Sequence, residues 1–203
     1  MIKMTTLNRL ILLITAHLAG YMIVSGIEGY DSWAVFYFTI AFGVLVLACL
    51  LLMLFGFEVL DNTIVVLVAT LIPLSLSSGI IANYFHQYKL TYLIFAIAGL
   101  IGILISRIYK SKKIATIVLA AVHGLSGLVI TILPLILSLV GTTPLKFTSV
   151  GMGGALIGLI GLMLTFLKTR GNKLLVTKSS IYRWFPTLLL IVTALFVIGL
   201  NRN

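Results

Sequence analysis

Apolar runs recur seven times along the chain, each closed by a short cluster of charged, glycine or asparagine residues. They fall near Leu7–Ile27, Ser32–Gly56, Asn62–Phe85, Leu90–Tyr109, Lys113–Val140, Phe147–Leu167 and Ile181–Leu200. About 20 apolar residues in a helix cross the hydrocarbon of a bilayer, and these runs have that length. None alternates apolar and polar positions with the two-residue period of a membrane β-barrel, so helices are the expected spanning element. The pattern predicts an all-α, polytopic integral membrane protein of seven transmembrane helices forming one domain over residues 1–203. The first run follows Lys3 and Arg9 and resembles a signal peptide, but no small-x-small cleavage site precedes a soluble domain, so it is read as a retained span.

The polar residues that interrupt the runs predict helix ends and kinks. Asp61 or Asn62 suits the cap of the third helix, Thr143 before Pro144 that of the sixth, and Ser179 or Ser180 that of the seventh. Pro73 and Pro134 lie inside the third and fifth helices. Each removes one N–H and leaves the carbonyl of Ala69 or Ile130 without its helical donor. Thr70 and Thr131 stand next to those carbonyls and are expected to compensate them, with Ser75, Ser77 and Ser78 adding hydroxyls after the first kink. Two broken helices carrying hydroxyls would suit the path of a small transporter or channel.

A weak internal repeat accompanies the prolines. Val68–Ser77 resembles Val129–Ser138, both holding Thr-x-x-Pro, and Ala96–Ser106 resembles Ala155–Thr165, both holding two glycines. The offsets of 61 and 59 residues suggest a duplicated hairpin, helices three and four repeated as five and six in the same orientation. Helix six carries Gly151, Gly154, Gly158 and Gly161 on one face, and helix four carries Gly99 and Gly102. Such small-residue stripes let backbones approach, the main source of helix association in lipid, so helix packing or a subunit interface is expected there.

Composition bears this out: 61% of residues are hydrophobic and 9% charged, against roughly a quarter charged in soluble domains. The net charge of +10 would suggest nucleic acid in a soluble chain, but the basic residues sit at the ends of apolar runs. There they act as topology signals, and no nucleic-acid partner is expected. With a cytoplasmic N-terminus, that side collects Lys3, Arg9, Arg107, Lys110, Lys112, Lys113, Lys168, Arg170, Lys173, Lys178 and Arg183. The other side receives Lys89, Lys146 and Arg202, a bias that needs an odd number of spans. A prokaryotic cytoplasmic membrane is the expected location. The single cysteine, Cys49, excludes an intramolecular disulfide.

Ionisable residues inside spans are costly and are candidates for function. His17 and His123 each lie some ten to twelve residues into helices that start on the same side, hence at similar depth. Two imidazoles at one level could hold haem b between helices one and five, with Gly20, Gly124 and Gly127 admitting the macrocycle, or border a quinone site. His86 with Glu28 and Asp31, all at the outer boundary, is a weaker metal-site candidate. No acidic residue lies within a span, no hydrolase motif occurs, and the seventh helix has no lysine in its apolar stretch for a retinal Schiff base. The leading expectation is a membrane subunit of a larger redox or energy-transducing complex. Its partners would be lipid and other subunits or further copies of itself; a transporter or a cofactor-free anchor are the alternatives. A reporter fused after Asn203 is expected to be active only outside the cytoplasm; activity confined to the cytoplasm would overturn the odd span count.

Overall fold

The computed structural model describes residues 4–25, 27, 29–109, 111–170 and 178–201, and the side chains of 61, 112, 160–170 and 178–181 are left aside. Seven α-helices account for almost all of it: α1 (Thr6–Ser25), α2 (Ser32–Phe55), α3 (Thr63–Tyr84), α4 (Lys89–Tyr109), α5 (Lys112–Leu139), α6 (Thr148–Arg170) and α7 (Lys178–Leu200). There is no strand among the described residues. Six helices are long and apolar enough to cross a membrane; the described apolar stretch at α6, Leu145–Leu159, is shorter than the rest. The fold is therefore all-α and fits an integral multi-pass membrane protein. Large apolar side chains stand exposed around its perimeter, among them Val24, Leu54, Leu90 and Leu139, as a lipid-facing surface requires.

Local chemistry sets the helix ends. The Asp31 carboxylate accepts from Trp33 N–H at the start of α2. Asn62 Oδ1 accepts from Ile64 N–H at 2.9 Å to open α3, and Ser111 Oγ accepts from Ile114 N–H to open α5. The expected cap at Thr143 is not formed. Its hydroxyl pairs with Ser138 Oγ at 3.0 Å, closing the α5 terminus, and a 3-10 turn at Leu145–Phe147 leads into α6. A second 3-10 segment, Gly56–Asp61, continues α2 and buries Phe57, which stacks on Tyr182 of α7 with ring centroids 5.0 Å apart.

Short connections fold each helix back on the one before it, and the packing order closes on itself. α1 packs on α2, α2 on α3, α3 on α5, α5 on α6, α6 on α7, and α7 on α1. Six helices form a closed ring, and α4 lies outside it against α3 and α5, its other side exposed through Leu90, Ile94, Ile97, Ile101 and Ile108. The ring is filled: Phe38, Phe42, Phe196, Leu12, Met22, Leu76, Ile80 and Ile130 are fully buried within one continuous cluster. A second, smaller cluster of Leu74, Ala96, Ile103 and Val122 attaches α4.

Glycines set the closest approaches. A Cβ on Gly151 would lie 2.7 Å from the Thr131 carbonyl oxygen, and one on Gly154 2.8 Å from Ile130 Cγ2. Thus α6 sits against α5 at the turn that Pro134 breaks. Gly153 and Gly199 do the same between α6 and α7, and Gly79 lies flat against the Phe38 ring. Gly99 and Gly102 face Val122 and Val118 across the α4–α5 contact, whereas Gly158 meets nothing within 4 Å. Gly161 is among the residues whose side-chain surroundings are not described. The two hairpins proposed as a repeat occupy unlike places, with α4 outside the ring and α6 within it.

Gly154→Leu is expected to overpack the α5–α6 contact and destabilise the protein by roughly 1–3 kcal/mol. Gly158→Ala should be neutral or slightly stabilising. Thermal unfolding in one detergent reads both, and equal effects would contradict this packing.

Candidate functional site

Pro73 and Pro134 lie on neighbouring helices, α3 and α5, and α4 covers the junction between them. The hydroxyls do not satisfy the carbonyls freed by the prolines. Thr70 Oγ1 donates to Val66 O at 2.7 Å and Thr131 Oγ1 to Gly127 O at 2.7 Å, each one turn back along its own helix. The reason is geometric: a threonine in a helix reaches the carbonyl three or four residues earlier, not its immediate neighbour's. The same back-bonding takes the protons of Ser77, to Pro73 O at 2.6 Å, and of Ser126, to Val122 O at 2.9 Å. Ser75 and Ser78 are buried elsewhere on α3.

At this junction α4 inserts Tyr92. Its hydroxyl is buried beside those of Ser77 on α3 and Ser126 on α5 without a well-formed hydrogen bond to either. Both serine protons are directed at backbone carbonyls, so the serine oxygens offer lone pairs and the tyrosine O–H is the one donor left. Three hydroxyls from three helices thus converge in an otherwise apolar seam. Ser77 is a candidate on sequence grounds, whereas no local motif marks Tyr92 or Ser126.

The seam has polar groups on both sides of this point. Toward the start of α5 it contains His123, half-buried, with Nδ1 donating to Leu119 O at 3.2 Å. That bond assigns the proton to Nδ1 and leaves Nε2 as an acceptor. Arg107, in the last turn of α4, lies close enough to act on His123 electrostatically, and its Nε is buried without a hydrogen bond. Toward the other end an apolar groove of about 370 Å³ opens between α3, α4 and α5, framed by Phe85, Tyr88, Tyr92, Phe95, Val129 and Leu133. Beyond its mouth Lys89 Nζ donates to His86 Nε2 at 2.8 Å and lies 6.0 Å from the centre of the Trp33 ring.

The other candidates are placed differently. His17 is exposed on α1, and α1 packs on α2 and α7 while α5 packs on α3, α4 and α6. The filled core of the ring lies between those helices, so the structure does not bring His17 and His123 together. Gly20, Gly124 and Gly127 have open space where a Cβ would be. His86 uses both ring nitrogens, Nδ1 toward Ala82 O at 3.3 Å and Nε2 toward Lys89. Asp31 is occupied in capping α2, and Glu28 lies outside the described residues. Among the described residues no three His, Cys, Asp or Glu side chains cluster as a metal site would require.

Tyr92→Phe removes a buried hydroxyl that has no good partner, so stability should change by less than about 1 kcal/mol. Ser126→Ala should be similarly mild. A large loss of thermal stability in Tyr92→Phe would show that the hydroxyl makes a strong cross-helix bond and not a poorly formed one.

Comparisons with known protein families, with curated proteins and with solved structures find no match to this chain.

Proposed function

We propose that this chain is a small transporter whose path runs along the α3–α4–α5 seam. The observation that carries the reading is the convergence of Tyr92, Ser77 and Ser126 beside an open groove that Tyr92 helps to line. The centre of the ring offers no route, because fully buried phenylalanines and leucines occupy it. The seam is instead the place where polar groups succeed one another across the bilayer: Arg107, His123, the three hydroxyls, then His86 and Lys89. All its charged groups are basic, so the solute class is a small anion or a neutral molecule that accepts hydrogen bonds. The attachment of α4 through only a small apolar cluster fits a helix that shifts against the ring.

In this reading the seven helices all span, with the N-terminus cytoplasmic and the C-terminus external in a prokaryotic cytoplasmic membrane, as the basic residues favour. The packing supports a repeat of three helices, α1–α3 and α5–α7 joined by α4, better than a repeated two-helix hairpin. The helix pairs within the two groups correspond, and the groups meet at two parallel contacts, α3 with α5 and α7 with α1. Parallel repeats about an axis along the membrane normal occur among transporters. His17 and His123 then occupy equivalent positions, each the twelfth residue of its helix.

A membrane subunit of a larger redox complex, holding haem b or quinone, is the second reading. The exposure of His17 within α1 favours a partner there, while the separation of α1 from α5 weighs against one cofactor ligated by both histidines.

Proteoliposome flux with chloride, acetate and glycerol tests the seam. At least one solute should cross faster than in empty vesicles, with a loss of about tenfold or more, equal to about 1.4 kcal/mol, in Tyr92→Phe and His123→Ala. The control Leu47→Ala, on the exposed side of α2, should leave flux unchanged. Wild-type flux equal to that of empty vesicles for all three solutes would remove these solutes from the proposal, and flux indifferent to Tyr92 and His123 would remove the seam.

A further inference from the structure

α1 presents a continuous outward stripe of Leu10, Leu13, Ile14, Tyr21 and Val24, and His17 lies in its middle. His17 is about halfway along a helix of 20 residues, hence near the centre of the hydrocarbon. Its Nδ1 donates to Leu13 O at 2.8 Å, which leaves Nε2 a bare acceptor pointing away from the core. A polar nitrogen facing lipid at that depth is costly, and such residues in membrane proteins nearly always meet a partner. On the other half, α5, which carries His123, is packed by an additional helix, α4. Among the described residues no helix outside the ring packs on α1 in that way.

The same stripe carries the missing donor. Tyr21 follows His17 by one turn, is 53% exposed, and makes no hydrogen bond to another described residue. Helical side chains lean toward the N-terminus, so the Tyr21 hydroxyl lies over the turn that holds His17. An acceptor and a donor one turn apart on one exposed face, the donor on a long side chain, are self-complementary about a two-fold axis running along the helices. We propose that a second copy of this chain packs against this face, α1 on α1, with His17 Nε2 accepting from the partner copy's Tyr21 hydroxyl, twice per dimer. The contact would use Leu10, Leu13, Ile14 and Val24 as its apolar surround. This inference rests on the chain crossing a membrane and not on the seam carrying solute, so either can fail alone.

Single cysteines in a Cys49→Ala background of the full chain, oxidised in native membranes, locate the contact. Ile14→Cys and Val24→Cys are expected to yield covalent dimers, and Leu47→Cys on α2 and Ile97→Cys on α4 are not. These variants retain both polar groups, so the result does not depend on how His17 variants fold. Fluorescence energy transfer between labelled copies in vesicles, followed by lipid dilution, reads association. His17→Ala and Tyr21→Phe should each weaken it about tenfold, since each removes both symmetric bonds. His17→Gln, which keeps an acceptor, should recover most of the loss. Crosslinks at α2 or α4 in place of α1, or association unaffected by Tyr21→Phe, would overturn the proposal. A b-type absorption band that disappears in His17→Ala would also overturn it, by showing that the nitrogen ligates haem.

Discussion

Lipid tails are as apolar as leucine, so burying a side chain between two membrane helices gains little over leaving it in the bilayer; close backbone approach must supply the attraction. Several helix contacts in this fold follow that constraint. Gly151 and Gly154 bring α6 onto the α5 backbone, Gly153 and Gly199 join α6 to α7, and Gly79 receives the Phe38 ring of α2. These contacts account for the tight sectors of the ring. Where such pairs are fewer, at α4, the attachment rests on Gly99 and Gly102 against two valines and on four buried apolar residues. The same physics that tightens the ring leaves α4, outside it, the most weakly held helix, and the polar seam runs beneath it.

The second constraint is that hydroxyls in hydrocarbon find a partner within their own helix. Thr15, Thr70, Ser77, Ser126, Thr131 and Thr193 all donate to carbonyls one turn back. Bonds of this kind use up donors without tying helices together. Cross-helix polar bonds are accordingly sparse among the described residues; Ser149 Oγ to Leu195 O at 2.8 Å and Asp31 N to Asn83 Oδ1 at 2.9 Å are two, both near helix ends. Against that background two features stand out: the cross-helix cluster of the Tyr92, Ser77 and Ser126 hydroxyls, and His17 Nε2, an acceptor exposed on α1.

Much of the architecture was legible in the chain. Apolar run lengths located the helices to within a few residues, and Asn62 marked the start of α3 because an asparagine before an apolar run has few other uses. The 3-10 extension at Gly56–Asp61 was not legible, since Glu58 and Asp61 disguise a segment whose Phe57 is buried only because Tyr182, far along the chain, stacks on it. The glycine stripe of α6 was visible, but Gly79 was not, because its importance comes from a phenylalanine on another helix. Of the proposed site, Ser77, Pro73 and His123 could be read from the sequence. Tyr92 and Ser126 could not, because only the packing of α4 across α3 and α5 puts them together.

The amino-acid sequence by itself determined that the chain is helical and apolar, where its helices lie to within a few residues, and which residues are costly in lipid. Those properties depend on local composition and on hydrogen bonds within one helix. The ring order, the exclusion of α4 and the separation of His17 from His123 were decided by the tertiary structure alone. Helices such as α2 and α3 are apolar on every side, so periodicity does not reveal which face meets a neighbour. That choice is made by the fit of small residues against large ones on partners remote in sequence, a property of pairs of helices that no single segment contains.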